Sequence, residues 1–296
     1  MIERINLTGA DAPGATRIVE APVLGDAGFP FTRTLAPLYS RNSIVVLTTS
    51  GFTVLPWNYD AALASPSIDR IVNAADLTKP VAPGGLISIF GQNLSPVNLA
   101  SSQMPLPTAL GESCLTVNGV AVPVLFVSPE QINAQLPFQI DGNVTMILRT
   151  PGGIGNNYNL LVLSTAPSIF RTGQAGPDTS IPTVVREKNG ELVTLSNPIH
   201  PEDTITIFLT GMGNTFPAVE AGVPAPSDPL SMAIVLPIVD IAGVQLKVTY
   251  AGLSPGQVGV YQINASVPKN VKEGVSQDLR INQGGSVTSI TVRVVQ

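Results

Sequence analysis

A single histidine, His200, and a single cysteine, Cys114, limit what this 296-residue chain can do by proton transfer or nucleophilic attack. A Ser-His-Asp triad would have to use His200. It lies in Asn197-Pro198-Ile199-His200-Pro201-Glu202-Asp203, just before an alternating run, and reads as a solvated loop residue. No Gly-x-Ser-x-Gly elbow occurs to present a serine. Cys114 sits between Ser113 and Leu115 with no cationic neighbour in sequence to lower its pKa, so it reads as a small buried hydrophobe. Structural zinc needs several Cys or His ligands, and this chain has two such residues in all.

Paired carboxylates are the remaining route to catalysis, as in a glycosidase. The close pairs are Glu202 with Asp203 and, more loosely, Glu187 with Glu191. Both lie in turn-like contexts, where carboxylates are expected to be solvated or to cap the backbone. Asp60, Asp69 and Asp76 gather near one domain boundary and Asp178 near another, without the spacing of a calcium loop. Gly152-Gly153-Ile154-Gly155 and Gly284-Gly285 have neither a following helix nor a Lys-Ser/Thr pair, and read as hairpin turns rather than phosphate cradles. Trp57 and Tyr59 could stack on a sugar ring, against the plainer reading of interdomain packing. The tetrad Gln131-Ile132-Asn133-Ala134 returns as Gln262-Ile263-Asn264-Ala265. Between apolar positions in both copies, Gln131, Asn133, Gln262 and Asn264 are expected to be structural: a buried amide pair bonded to the backbone of the preceding Ser-Pro loop.

The elements that must position these residues are strands. Charged residues are only 12% of the chain, while Gly and Pro number 27 each, a composition for short strands and turns rather than long helices. The net charge of −5, with no basic cluster, gives no footprint for nucleic acid. The most apolar stretch, Met232 to Val244, is interrupted by Pro237 and Asp240 and is too short to be a membrane span. Met1 to Gly14 carries no apolar signal-peptide core.

The chain repeats itself. Pro83-Gly84-Gly85-Leu86-Ile87-Ser88-Ile89-Phe90 returns as Pro201-Glu202-Asp203-Thr204-Ile205-Thr206-Ile207-Phe208, and Gly119 to Phe126 returns as Gly243 to Tyr250. The Ser-Pro steps at 128 and 254 and the Gln-Ile-Asn-Ala tetrads follow in the same order. Asn118-Gly119 between Leu115-Thr116-Val117 and Val120-Ala121-Val122 predicts a tight hairpin. Period-two alternation at Ile205, Ile207, Leu209 and at Ile290, Val292, Val294 predicts antiparallel sheets. The expected fold is all-β: two tandem immunoglobulin-like antiparallel β-sandwiches, at 65–170 and 171–296. They follow an N-terminal β-hairpin region at 1–64, centred on 43–57, which could be the remnant of an upstream β-propeller.

These motifs together resemble a known family. Pro83 to Leu94, Pro105-Leu106-Pro107-Thr108, Ser128-Pro129-Glu130-Gln131-Ile132-Asn133-Ala134-Gln135-Leu136-Pro137, Tyr250 to Gly256 and Gly259 to Asn264 form a series similar to the C-terminal domain of secreted acidobacterial (Solibacter-type) proteins. Each half also resembles the IPT/TIG immunoglobulin-like fold. The resemblance covers about residues 66–296 and implies the tail of a large exported protein. The location would then be extracellular or cell-surface, given an upstream signal peptide. It implies no activity, cofactor or metal. The expected function is that of a non-catalytic structural or interaction module, for adhesion or display, with a protein or glycan partner. The alternatives are an accessory carbohydrate-binding module and a hydrolase using acidic residues.

Overall fold

The computed structural model describes residues 64–78, 80–172 and 181–295, and before them the strands Ile2–Ile5, Ala15–Ile18, Leu35–Leu38, Ser43–Thr48 and Gly51–Pro56. No helix occurs among the described residues, and none is long and apolar enough to cross a membrane. The fold is all-β, with two tandem sandwiches after an N-terminal β region. The expected hairpin is present there. Ser43–Thr48 pairs antiparallel with Gly51–Pro56, and Leu35–Leu38 adds a third strand.

The first sandwich sets two sheets face to face. One has the order Ser67–Asn73, Leu86–Gln92, Gln131–Gln135, Val124–Val127, Leu99–Ala100. The other is built on Gly142–Thr150, flanked by Ser113–Val117 and Tyr158–Val162. Alternation decides which side chains meet: Val144, Met146 and Leu148 point inward from Gly142–Thr150 and close on Ile87, Ile89, Ile132 and Ala134. The second sandwich repeats the plan. Val184–Arg186, Thr204–Thr210, Tyr261–Ser266 and Lys247–Leu253 are neighbours in one sheet; Ile238–Ile241, Gly274–Gln283 and Ser286–Val294 make the other. Its core joins Ile205, Ile207, Leu209, Tyr261 and Ile263 to Ile241, Leu279, Ile281, Ile290 and Val292.

The turns follow the sequence. Asn118 (φ 46°) and Gly119 (φ 82°) link Val117 to Val120 in a two-residue loop, and Ala242 (φ 50°) and Gly243 (φ 81°) link Ile241 to Val244 at the equivalent place. Both central residues of such a loop need positive φ, which Ala242 adopts against its own preference. Gly284-Gly285 is a hairpin turn as expected, and Gly152 belongs to one, but that turn is Pro151-Gly152 and Gly153 begins the next strand opposite Thr150. The second sandwich also reaches back ahead of residue 171. Ser168–Ile169 already pairs with Thr210 and Leu209, and Phe138, from the first repeat, packs in the second core.

Candidate functional site

The repeated tetrads lie on matching outer faces. Within each, Ile132 and Ala134, or Ile263 and Ala265, point into the core, while the amides alternate outward and are half-buried. In the first copy Gln131 Nε2 donates to Asn133 Oδ1 (2.8 Å), which also accepts from Ser88 Oγ (3.0 Å). In the second, Gln262 Nε2 donates to Asn264 Oδ1 (3.3 Å), which also accepts from Thr206 Oγ1 (3.3 Å). Asn133 stands between Ser88 and Phe126 across the sheet, as Asn264 stands between Thr206 and Tyr250. The expectation of buried amides bonded to the Ser-Pro loop backbone is therefore corrected. The amides bond side chain to side chain, and in the first copy the loop is closed by Ser128, whose Oγ accepts from the Gln131 backbone N–H at 2.9 Å. The outward phase of the strand forces this, since only alternate residues reach the core. Phe90, beside Gln131 in the register, carries the Arg70 guanidinium over its ring at 4.3 Å, so that ring face is occupied.

The most constrained polar residue lies elsewhere, where the sandwiches meet. Gln135 is 1% exposed. Its Nε2 donates to Gly84 O (3.0 Å), and its Oε1 accepts from Gly222 N (2.6 Å). Gly222 O in turn accepts from Leu106 N (2.8 Å), and Leu86 N donates to Thr210 Oγ1 (2.9 Å), whose hydroxyl donates to Gly259 O (2.7 Å). The link between the sandwiches is held on both sides: Asn73 Nδ2 donates to Ala166 O (3.2 Å), and Thr165 Oγ1 donates to Gln283 O (2.9 Å). Close approach depends on glycine. A Cβ at Gly211 would collide with the Ala166 carbonyl, and one at Gly259 would press on Leu86. With Phe138 inserted in the second core, the seam is a packed, hydrogen-bonded joint.

Sequence reasoning did not single out this seam. Gln135, Phe138, Thr210 and Gly222 are scattered, and Gln135 is merely the residue after a tetrad. The one available signal is that the repeat breaks there, since Ser266 stands where the first copy has Gln135.

The candidates for catalysis are not brought together. His200 is half-buried; its Nδ1 has no hydrogen-bond partner and lies 3.6 Å from Asp203 Oδ2. Asp203 caps the backbone, one of the two roles expected of it, but is not solvated. It is buried, takes two bonds from Arg186 (Nε 2.8 Å, Nη2 3.1 Å), and caps the His200 backbone N–H at 2.7 Å. Asn197 Oδ1 accepts a third bond from Arg186, so the carboxylate neutralises a buried guanidinium and is committed to it. Glu202 is exposed beside Lys269, and Glu187 and Glu191 are exposed and accept from Thr206 and Asn189.

Cys114 is half-buried rather than fully buried, and the sheet sets Arg149 directly opposite it. Burial pushes the thiol pKa up and Arg149 pulls it down, with burial the larger effect. Asp76 accepts from Thr78 in a local turn. Asp69 and Glu130 line an open cleft of about 560 Å³ with Phe90, Gln92 and Asn93. No group of three or more His, Cys, Asp or Glu that could hold a metal occurs among the described residues. Trp57, Tyr59, Asp60 and Asp178 lie outside them.

No protein-family model matches the chain, and no curated protein matches it. Solved structures similar to it include SGBP-B from a complex xyloglucan utilization locus of Bacteroides uniformis, at 13% identity and a TM-score of 0.25, covering 77% of this chain and 49% of that one. SGBP-B from the mixed-linkage glucan utilization locus of Bacteroides ovatus, solved with a mixed-linkage heptasaccharide, is similar at 9% identity and 0.28, over 79% and 64%. The gamma-CGTase of alkalophilic Bacillus clarkii is similar at 12% identity and 0.25, over 86% and 31%. The chain spans between about a third and just under two thirds of these proteins' lengths. At these identities and TM-scores the likeness carries no argument about this chain.

Proposed function

We propose that this chain is a non-catalytic structural and interaction module of an exported bacterial protein, a rigid two-sandwich spacer that holds or displays a neighbouring domain. The observation that carries the reading is the seam. Gln135 bonds to both sandwiches and Phe138 inserts into the second core, so a displacement at one end is transmitted to the other without bending. A binding cleft between domains needs a concave, open junction, and here the junction is filled by side chains and hydrogen bonds. The resemblance of residues 66–296 to the acidobacterial C-terminal domain and to IPT/TIG repeats supports export and a location at the cell surface. The engagement of Asp203 by Arg186 supports a role without catalysis.

The test is a distance measurement across the seam. Spin labels at Val120→Cys and Val275→Cys, both exposed, in a Cys114→Ser background and diluted in an excess of unlabelled chain, so that only distances within one chain are read, should give one narrow distance distribution in the full chain. A broad or bimodal distribution would overturn the rigid-spacer reading. Turnover of a polysaccharide panel by the purified chain, lost in no-enzyme controls, would replace it with the hydrolase. Specific hits on a glycan array would replace it with a carbohydrate-binding module.

A further inference from the structure

The second sandwich carries an uncovered apolar band. From Ser231 to Val239, Ser231, Ala233, Pro237 and Val239 are buried, while Met232 (44% exposed), Ile234 (63%), Leu236 (64%) and Ile238 (53%) face solvent, with Val235 less exposed beside them. Register extends the band at both ends. Met232 pairs with Phe216, which is 76% exposed, and Ile238 pairs with Asn282, itself paired with Val287, which is 58% exposed. Six large apolar side chains thus follow one another from the rim of one sheet onto the outer face of the other. Scaled to side-chain size they leave on the order of 700 Å² of apolar surface in water, above the roughly 300–600 Å² of the largest patch on a typical monomer.

We propose that this band is the interface through which two copies of the chain associate as a symmetric dimer. Three observations select a second copy as the occupant. The area is close to the roughly 800 Å² that each partner contributes to a stable interface of standard size. The exposed stretch from Ser231 to Val239 holds no ionisable residue; the nearest in sequence are Asp228, which is exposed, and Asp240, which is paired with Arg280 at 3.0 Å. A two-fold interface sets each residue near its own counterpart, so a neutral apolar band meets itself without like-charge repulsion, whereas a charged partner finds nothing to pair with. Pro217, next to Phe216, and Pro237, between Leu236 and Ile238, lack N–H donors, which disfavours extension of the sheet edge by a foreign strand and leaves face-to-face packing of side chains. The band is on the second sandwich alone, and the proposal does not depend on the rigidity of the seam.

The test is sedimentation velocity on the full chain. The wild type should sediment as a dimer at about 100 µM, and Leu236→Lys and Ile234→Lys should each raise the dimer dissociation constant by about 100-fold or more. Both side chains are largely exposed, so thermal melts of the variants should keep a single folded transition; Phe216→Ser, more exposed still, serves if either lysine variant does not fold. Val275→Lys, at the far end of the Gly274–Gln283 strand and 70% exposed, should leave the dimer intact. A wild type that is monomeric at that concentration overturns the proposal and leaves residues 1–63 or another protein as the covering partner. A dimer that survives the band variants, or is lost with Val275→Lys, places the interface elsewhere and overturns it equally.

Discussion

Replacing Gln135 by methionine should destabilise the protein at least as much as replacing it by alanine, although methionine fills the space better. Gln135 is buried, and its amide satisfies Gly84 O and Gly222 N. Methionine keeps the volume and removes both bonds, leaving one buried carbonyl and one buried N–H unpaired. Each unpaired buried group costs about 1–3 kcal/mol, so the total is about 2–6 kcal/mol. Alanine removes the same bonds but opens space through which water can reach the two groups and repay part of that cost. In urea unfolding, with a slope on the order of 2–3 kcal/mol per molar, the methionine variant should lose about 1 M or more in midpoint. Because the groups lie between the sandwiches, its single transition should also separate into two. Gln131→Met, on the half-buried outer face, is the control and should cost under about 1 kcal/mol, because water can reach its partners. A Gln135→Met variant that unfolds with the wild type, or costs no more than Gln131→Met, would refute the claim that polar satisfaction holds the seam.

Three further outcomes follow from other sites. Asp203→Asn leaves the buried Arg186 guanidinium without its charge partner and should cost about 3–5 kcal/mol by urea unfolding, while the apolar double variant Arg186→Met/Asp203→Leu should recover most of that loss. Tyr261 is buried with its hydroxyl donating to Gly213 O at 2.6 Å, and burial pushes its ionisation far above the ordinary value of 10.0. The unfolded chain loses this proton above about pH 10 and the folded chain keeps it, so stability is unaffected below that pH and falls by about 1.4 kcal/mol per pH unit above it. Melts of Tyr261→Phe should lose that part of the alkaline slope, with Tyr250, also raised by burial, supplying a smaller remainder. Ala242→Asn should stabilise by about 0.5–1 kcal/mol, because asparagine accepts the positive φ that alanine adopts at cost; a lowered melting temperature would count against that reading of the turn.

What could be read from the sequence was whatever one strand or one turn decides by itself. Alternation at Ile205, Ile207 and Leu209 announces a sheet with a buried face, and Asn118-Gly119 announces a hairpin, because both signals are complete within about ten residues. The phase of the tetrads was legible in principle. Gln131 and Asn133 share a parity opposite to Ile132 and Ala134, which face the core, so the amides had to face out. Placing them in the core read the neighbouring isoleucines as an environment rather than as the other side of a pleat.

The features that give the chain its character are those that no local pattern encodes. Arg186 and Asp203 are seventeen residues apart and become partners only when their two strands are joined in register. The Gly222 bond to Gln135 spans 87 residues, and the residues on either side of it look like ordinary loop sequence. Burial there is created by docking, not by hydrophobicity, and so a polar amide and a glycine carry the joint. The apolar band shows the converse. Met232-Ala233-Ile234-Val235-Leu236 reads as core by composition, yet its large residues are left in water while small Ala233 and the following Pro237 take the inward places. A segment that puts its small residues inside and its large ones outside is poorly matched to a monomer's core and well matched to a surface that a second molecule covers.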